Sequence, residues 1–154
     1  MTDNPYAAPN AVVSGASRGA AATRIYTPNQ VASGTLLGGP VALIYFLKAN
    51  FAVLGKDRME KNTLIFGVIL ILVLLAILPF LPEKFPSSAF TIAYVVIARY
   101  VAEKYQLTKQ AITGSTEYDF HSNWRMVGLG LVCMLGSVVV IAGPIMLMAY
   151  LGIM

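Results

Sequence analysis

Long apolar runs alternate with short polar segments along the chain, and this pattern predicts helices. The most uniform run, residues 63–81, holds nineteen successive residues without a charge. A helix of that length is roughly 28 Å long, close to the hydrocarbon thickness of a bilayer. We therefore predict an all-α integral membrane protein with about four membrane-embedded helices. The predicted helices cover approximately 28–54, 63–81, 87–105 and 124–153.

The first predicted helix has a clear start and a break in its middle. Thr27 suits an N-cap, Pro28 suits the first helical position, and Gln30 completes a capping box. Pro40, after two glycines, removes a backbone donor and clashes with the preceding turn. The first helix is therefore predicted either to cross the membrane with a kink or to be a re-entrant or interfacial element.

The residues before this helix differ in composition. Residues 1–24 are rich in small residues, Pro and Gly and have no periodic apolar stripe. Such a segment buries too little surface to offset the entropy of ordering it. We predict a disordered N-terminal tail over 1–24 and a single helical membrane domain over 27–154.

Composition supports a membrane environment and argues against a nucleic-acid partner. Hydrophobic residues make up 57% of the chain and charged residues only 12%, against about 25% charged in soluble domains. The net charge is +4, but the basic residues flank apolar runs, where they attract anionic headgroups. The expected partners are the lipid bilayer, with anionic headgroups at the basic loops, and either a protein partner or a second copy of the chain.

The distribution of Lys and Arg predicts the orientation. Loops 48–62 and 106–125 are basic and are predicted to be cytoplasmic, with the hairpin 82–86 and the C-terminus periplasmic. If the first helix is re-entrant, the N-terminal tail is also cytoplasmic, and nine basic loop residues oppose Lys84. If that helix crosses, the division is seven against three. The side of the tail stays open, with a slight preference for the re-entrant arrangement.

A charge lies inside the third apolar segment. Arg99 precedes Glu103 by four residues, which places both side chains on one helix face. The favoured interpretation is an ion pair that reaches the headgroups, because both residues lie within two turns of the predicted cytoplasmic end. The alternative is a binding or coupling site, since intramembrane charges often mark one.

The densest polar cluster is Glu117, Asp119 and His121. Alternate residues of an extended segment face one side, and carboxylates with an imidazole are plausible metal ligands. Three ligands so close together, without a second cluster, rarely form a site. We therefore predict no metal and no cofactor, and an interfacial loop with Tyr118, Phe120 and Trp124 as an aromatic belt.

Glycines mark predicted packing faces. Gly34 and Gly38 have the GxxxG spacing, and Gly39 extends the small surface. Such faces let two membrane helices approach closely, within one chain or between copies.

The opening of the first helix resembles that of uncharacterised small bacterial membrane proteins of proteobacterial type. The similar segments are 26–30, 38–40, 50–51 and 54–56, and residues 4–9 (NPYAAP) are similar to tails of such proteins. The resemblance covers about the first third of the chain. It implies a bacterial membrane protein and no activity.

Three function hypotheses follow. The first is a non-enzymatic inner-membrane interaction protein, namely an accessory subunit, a regulator or an immunity-type protein. The second is a small channel or transporter that oligomerises around Gly34 and Gly38. The third is a membrane enzyme that uses Glu117, Asp119 and His121. We favour the first, because the predicted spans hold few polar groups.

Overall fold

The computed structural model describes residues 22–82, 86 and 88–152. A 3₁₀ turn, Leu78–Phe80, extends the helix Asp57–Ile77. The elements in chain order are β1 (Thr23–Ile25), α1 (Pro28–Val53), α2 (Asp57–Ile77), α3 (Ser88–Tyr105), α4 (Lys109–Thr113), β2 (Tyr118–Phe120) and α5 (Asn123–Tyr150).

Helix α1 is folded back on itself at Gly39. Gly39 has φ 66° and ψ −151°, a left-handed conformation that only glycine adopts readily, and Pro40 follows it. A straight helix of this length would hold its ends about 39 Å apart. Instead, Asn50 near its end hydrogen-bonds to Tyr26 just before its start. Helix α1 is therefore a hairpin of two antiparallel half-helices, and the predicted break at Pro40 is confirmed.

A serine from the last helix closes the hydrogen bonding at the hairpin turn. Ser137 Oγ donates to the carbonyl oxygen of Gly38 at 2.6 Å and accepts from the backbone N–H of Val41 at 3.3 Å. Ser137 is 7% exposed. The turn lies beside the middle of α5, so the hairpin reaches about halfway along that helix.

The hairpin forms the centre of the fold, with α2, α3 and α5 packed around it. Of the most apolar window of α1, 44% is buried, against 11% for α2 and for α5. The buried aromatic residues Phe46 and Phe51 lie on the returning half-helix. Ala98 and Ala102 of α3, both fully buried, allow close approach to α1.

Both ends of α1 lie at the same end of the bundle, which we call the basic end. The strands, α4, the start of α5 and the end of α3 lie there too. Lys56, at the start of α2, donates to the carbonyl oxygen of Tyr105 at 2.6 Å. Every charged residue in the described part of the chain lies at this end or within two turns of it.

The number of helices that could cross a membrane differs from the predicted count of about four membrane-embedded helices. Among the described residues, three helices are long and apolar enough to cross a membrane, not four: α1, α2 with its 3₁₀ turn, and α5. Helix α3 is not among them, because Arg99, Glu103 and Lys104 fall in its last two turns. Helix α1 qualifies by length and composition, but its fold at Gly39 returns it to the end where it began.

Several boundaries differ from the predicted ones. Helix α2 begins at Asp57, six residues before the predicted 63, because helical structure extends beyond the apolar run. Thr23 and Arg24, predicted to be disordered, form part of β1. Two predictions lie outside the described residues, namely the disorder of 1–21 and the tail resemblance at 4–9. Residues 83–85 of the predicted connection 82–86 also lie outside them.

Candidate functional site at the basic end

Asn50 joins three segments of the chain at the basic end. Its Oδ1 accepts from the backbone N–H of Tyr26 at 2.9 Å, and its Nδ2 donates to the Tyr26 carbonyl oxygen at 2.8 Å. The same Nδ2 donates to Gln106 Oε1 at 2.7 Å, and Gln106 Nε2 donates to the carbonyl oxygen of Leu47 at 3.1 Å. Asn50 is 1% exposed. This side chain therefore holds both ends of the hairpin and the segment after α3 together.

Gln30 makes the corresponding connection to α5. The predicted capping box is confirmed: Gln30 N–H donates to Thr27 Oγ1 at 3.1 Å, and Thr27 N–H donates to Gln30 Oε1 at 3.0 Å. Gln30 Nε2 also donates to the carbonyl oxygen of His121 and to Asn123 Oδ1, both at 2.7 Å. One side chain thus caps α1 and fixes the position where α5 begins.

Two short strands, β1 and β2, pair beside these hydrogen bonds at the basic end. β1 pairs with β2 in parallel, with Thr23 opposite Tyr118 and Ile25 opposite Phe120. Ile25 is 1% exposed, and its carbonyl oxygen accepts from the backbone N–H of His121 at 3.2 Å. The pairing carries the chain from β1 directly into the buried Tyr26 and the cap of α1.

The rings of His121 and Tyr26 pack against each other next to the paired strands. Their ring centroids are 4.2 Å apart, and His121 Nδ1 is buried without a hydrogen-bond partner in the described structure. Burial, and then the positive charges of Arg125 and Arg24, lower the pKa of His121 below its ordinary value. Burial is also the main cause that raises the pKa of the Tyr26 phenol. His121 is therefore a neutral aromatic side chain at neutral pH.

The lowered pKa of His121 predicts a loss of stability in mild acid. The unfolded chain protonates this residue at its ordinary pKa of 6.5, whereas the folded protein resists protonation. Its contribution is thus complete above pH 6.5 and decreases as the pH falls, by at most about 1.4 kcal/mol per pH unit. Thermal unfolding in mild detergent between pH 5 and pH 8 should show a steeper decrease for the wild-type protein than for His121→Phe.

His121→Phe retains an aromatic ring against Tyr26 and removes the titration, so carboxylates that titrate in the same range affect both proteins equally. Parallel stability curves for the two proteins would contradict this prediction.

An open cleft of about 720 Å³ lies on the basic end. It is bounded by the first turns of α1 and α5 and by Lys109 of α4. Of the described residues that line it, none is acidic, and most carry a hydroxyl or an amide. The lining consists of Thr27, Asn29, Gln30, Ser33, Lys109, Phe120, His121, Ser122, Asn123 and Met126.

The structure separates the members of the predicted polar cluster. Glu117 and Asp119 are exposed, and Asp119 Oδ1 accepts from the backbone N–H of Phe120 at 2.7 Å. His121 instead packs against Tyr26. Within the described part of the chain, no group of three His, Cys, Asp or Glu residues is placed to hold a metal ion.

Arg99 and Glu103 lie on the outer face of α3. Arg99 Nε donates to Glu103 Oε1 at 2.8 Å, and the two side chains are 59% and 48% exposed. The inner face of the helix carries Tyr94, Ala98 and Ala102. The pair therefore faces away from the hairpin and is not part of the cleft.

The predicted packing glycines lie inside the monomer. A Cβ atom at Gly38 would come within 2.5 Å of Ala42 Cβ and 2.6 Å of the Gly130 carbonyl oxygen, and one at Gly34 would overlap the Phe46 ring. Gly39 forms the hairpin turn, where its conformation favours glycine. These glycines allow the two half-helices and α5 to approach one another.

Sequence reasoning did not predict the hydrogen-bonding roles of Asn50, Gln106 and Ser137. Each side chain bonds across 24 or more residues, to partners that no local pattern indicates. Polar residues inside an apolar segment are the one signal that the sequence offered, because such groups need a partner when buried.

The fold and the site define a class: an all-α protein whose central helix is a hairpin clamped at one end by buried amide side chains. The chain matches no protein-family model, and comparison with curated proteins and with solved structures finds no match at a significant level.

Proposed function

We propose that the chain is a multi-pass protein of a bacterial inner membrane that acts through non-enzymatic interactions with a protein partner. The carrying observation is that the buried amides and Ser137 bond to the backbone of the hairpin or its neighbours. Groups used in this way hold the fold together and are not free for catalysis. A protein partner would therefore bind to the outer surface of the protein.

The distribution of apolar surface supports membrane embedding. Large apolar side chains are exposed along α2 and α5, such as Leu72 at 59% and Val139 at 70%. Water would penalise this surface by about 25 cal/mol per Å², whereas lipid does not. The confinement of the described charges to one end leaves the remaining length of the helices uncharged, as a hydrocarbon layer requires.

The hairpin supports one orientation of the chain. Because α1 returns to the end where it starts, β1 lies beside both basic loops. This corresponds to the arrangement with nine basic loop residues on one side against Lys84 on the other. By the positive-inside rule the basic end is cytoplasmic, and the 82–86 connection and the C-terminus are periplasmic. In this arrangement α3 also crosses, and the charged residues of its last two turns lie at the cytoplasmic headgroups.

Labelling of single cysteines with a membrane-impermeant maleimide tests this orientation. In a Cys133→Ala background, we expect Leu151→Cys to react in spheroplasts, and Thr23→Cys and Thr116→Cys only after lysis. Thr116→Cys is the matched control for Thr23→Cys, because Thr23 begins β1 and Thr116 lies two residues before its partner strand β2. Reaction of Thr23→Cys in intact spheroplasts would contradict the shared side of the tail and the basic loops.

Purification of the native protein in gentle detergent, after crosslinking in cells, tests the interaction function. We expect mass spectrometry to identify a foreign protein in a fixed ratio to this chain. A homo-oligomer without a partner would contradict the proposal and favour a channel, for which ion flux in liposomes is the direct measurement. The observed packing of Gly34 and Gly38 inside the monomer leaves that hypothesis without its proposed interface.

A further inference from the structure

We propose that the cleft on the basic end binds the phosphate group of an anionic phospholipid, whose acyl chain lies along the exposed leucines of α1. This inference rests on the membrane location proposed above, and it adds a defined ligand site to it. The site is formed by the first half-helix of α1, the start of α5 and Lys109.

The chemistry of the cleft suits a phosphate. Asn29 and Ser33 are exposed, line the cleft and make no side-chain hydrogen bond within the described structure. Thr27 uses its oxygen as an acceptor for the cap of α1, so its hydroxyl hydrogen remains to be donated. Phosphate oxygens accept such bonds, and no acidic residue in the described lining would repel them.

Cationic side chains lie in the cleft and near it, whereas the neighbouring carboxylate of Asp119 lies outside the lining. Lys109 is in the lining, and Arg24 and Arg125 are close enough for their charges to act on His121, another lining residue. At the start of α5, the capping residue Ser122 makes no side-chain hydrogen bond to the helix. The first-turn amides of that helix therefore add partial positive charge at the same place.

The surface below the cleft favours a lipid over a free phosphate ion. Leu36 and Leu37 follow Ser33 by three and four residues on α1 and are 59% and 37% exposed. One helical turn, about 5 Å, thus leads from polar donors to exposed apolar side chains in the direction of the hairpin turn. Trp124, 85% exposed at the start of α5, is a residue typical of the headgroup level. A free phosphate ion would contact only the polar residues of the cleft and not the exposed leucines.

Native mass spectrometry of the full chain in mild detergent, with phosphatidylglycerol or phosphatidylcholine added, tests the proposal. We expect phosphatidylglycerol to be retained preferentially. Lys109→Ala should weaken that retention by about fivefold, the effect of one cation at a membrane surface. Lys61→Ala, the same change at an exposed position on α2 outside the cleft, should leave retention unchanged.

Further variants and competitors separate the sources of the phosphate. Leu36→Gln should also weaken the retention of phosphatidylglycerol, and unchanged retention would overturn the acyl-chain path. Displacement of the lipid by millimolar inorganic phosphate would overturn the lipid assignment in favour of a free ion.

Equal retention of the two lipids, or equal losses in Lys109→Ala and Lys61→Ala, would overturn the site itself. Unchanged thermal unfolding of each variant shows that the loss is one of binding. Absence of the chain from the membrane fraction would instead overturn the proposed function, so the two failures are distinguishable.

Discussion

Replacing Gly38 by alanine is expected to destabilise the protein strongly, whereas the same change at Gly128 is not. A methyl group at Gly38 would come within 2.6 Å of the Gly130 carbonyl oxygen and within 2.9 Å of Cys133 Cβ. Neither atom can move without shifting α5 away from the hairpin. Overpacking of this kind costs about 1–3 kcal/mol, and a backbone obstacle places Gly38→Ala at the upper end.

Gly128 is a matched control for this substitution. It lies in α5, and nothing approaches within 4 Å of the position where a Cβ atom would be. Gly128→Ala should therefore leave stability unchanged or raise it by up to about 1 kcal/mol, since alanine favours helix. Thermal unfolding in one mild detergent measures both variants. Equal midpoints would show that α5 does not pack against Gly38 as described.

Asn50→Ala is expected to have a similarly large effect. The substitution removes the partner of the Tyr26 N–H and carbonyl groups and of Gln106. A buried polar group left without a partner costs about 1–3 kcal/mol, so the two backbone groups together predict a loss of about 3 kcal/mol. The hydrogen bonds of Asn50 to Tyr26 and Gln106 act as a clamp on the hairpin. Loss of this clamp should also open the basic end, which proteolysis between Thr23 and Thr27 would detect.

Two further substitutions make the Asn50 experiment specific. Asn29→Ala changes an exposed asparagine without a side-chain hydrogen bond in the described structure, and it should leave stability nearly unchanged. Asn50→Asp keeps the shape of the side chain but loses both hydrogen bonds that Nδ2 donates. If Asn50→Asp were as stable as the wild-type protein, the clamp would not hold the hairpin closed.

The clamp and the cleft are connected through the hairpin. Asn50 fixes the returning half-helix, while Gln30 fixes the entering half-helix to the start of α5. The cleft lies where the entering half-helix meets α5, so its shape depends on both amides. This dependence makes the stability variants useful controls for lipid binding, because Asn50→Ala should impair both properties and Lys109→Ala only one.

Local features of the fold could be predicted from the sequence, because they depend on neighbours in the chain. The capping box of Thr27 and Gln30 needs only side chains three residues apart, and the break at Pro40 needs only the missing backbone donor. α5 is one helix, as the predicted range 124–153 implies, although Pro144 lies inside it. The apolar runs also predicted the long helices, although α2 begins earlier than its run.

About four membrane-embedded helices were predicted, whereas three helices among the described residues are long and apolar enough to cross a membrane. An apolar run measures where lipid could surround a helix, and α3 combines such a run with three charged residues in its last two turns. The sequence also offered an apparent ligand cluster at Glu117, Asp119 and His121. The stacking of His121 on Tyr26 separates it from the two exposed carboxylates, and this contact joins residues 95 positions apart.

The sequence by itself determined the helical class, the cap of α1, the presence of a break in that helix and the concentration of charge in a few short segments. Only the tertiary structure decided that the chain turns back at the break and does not continue across. A proline prevents straight continuation but does not set the new direction. The direction depends on Gly39 in a left-handed conformation, on Ser137 at the turn and on Asn50 at the ends. These contacts join residues 24 to 99 positions apart, and no local preference encodes them.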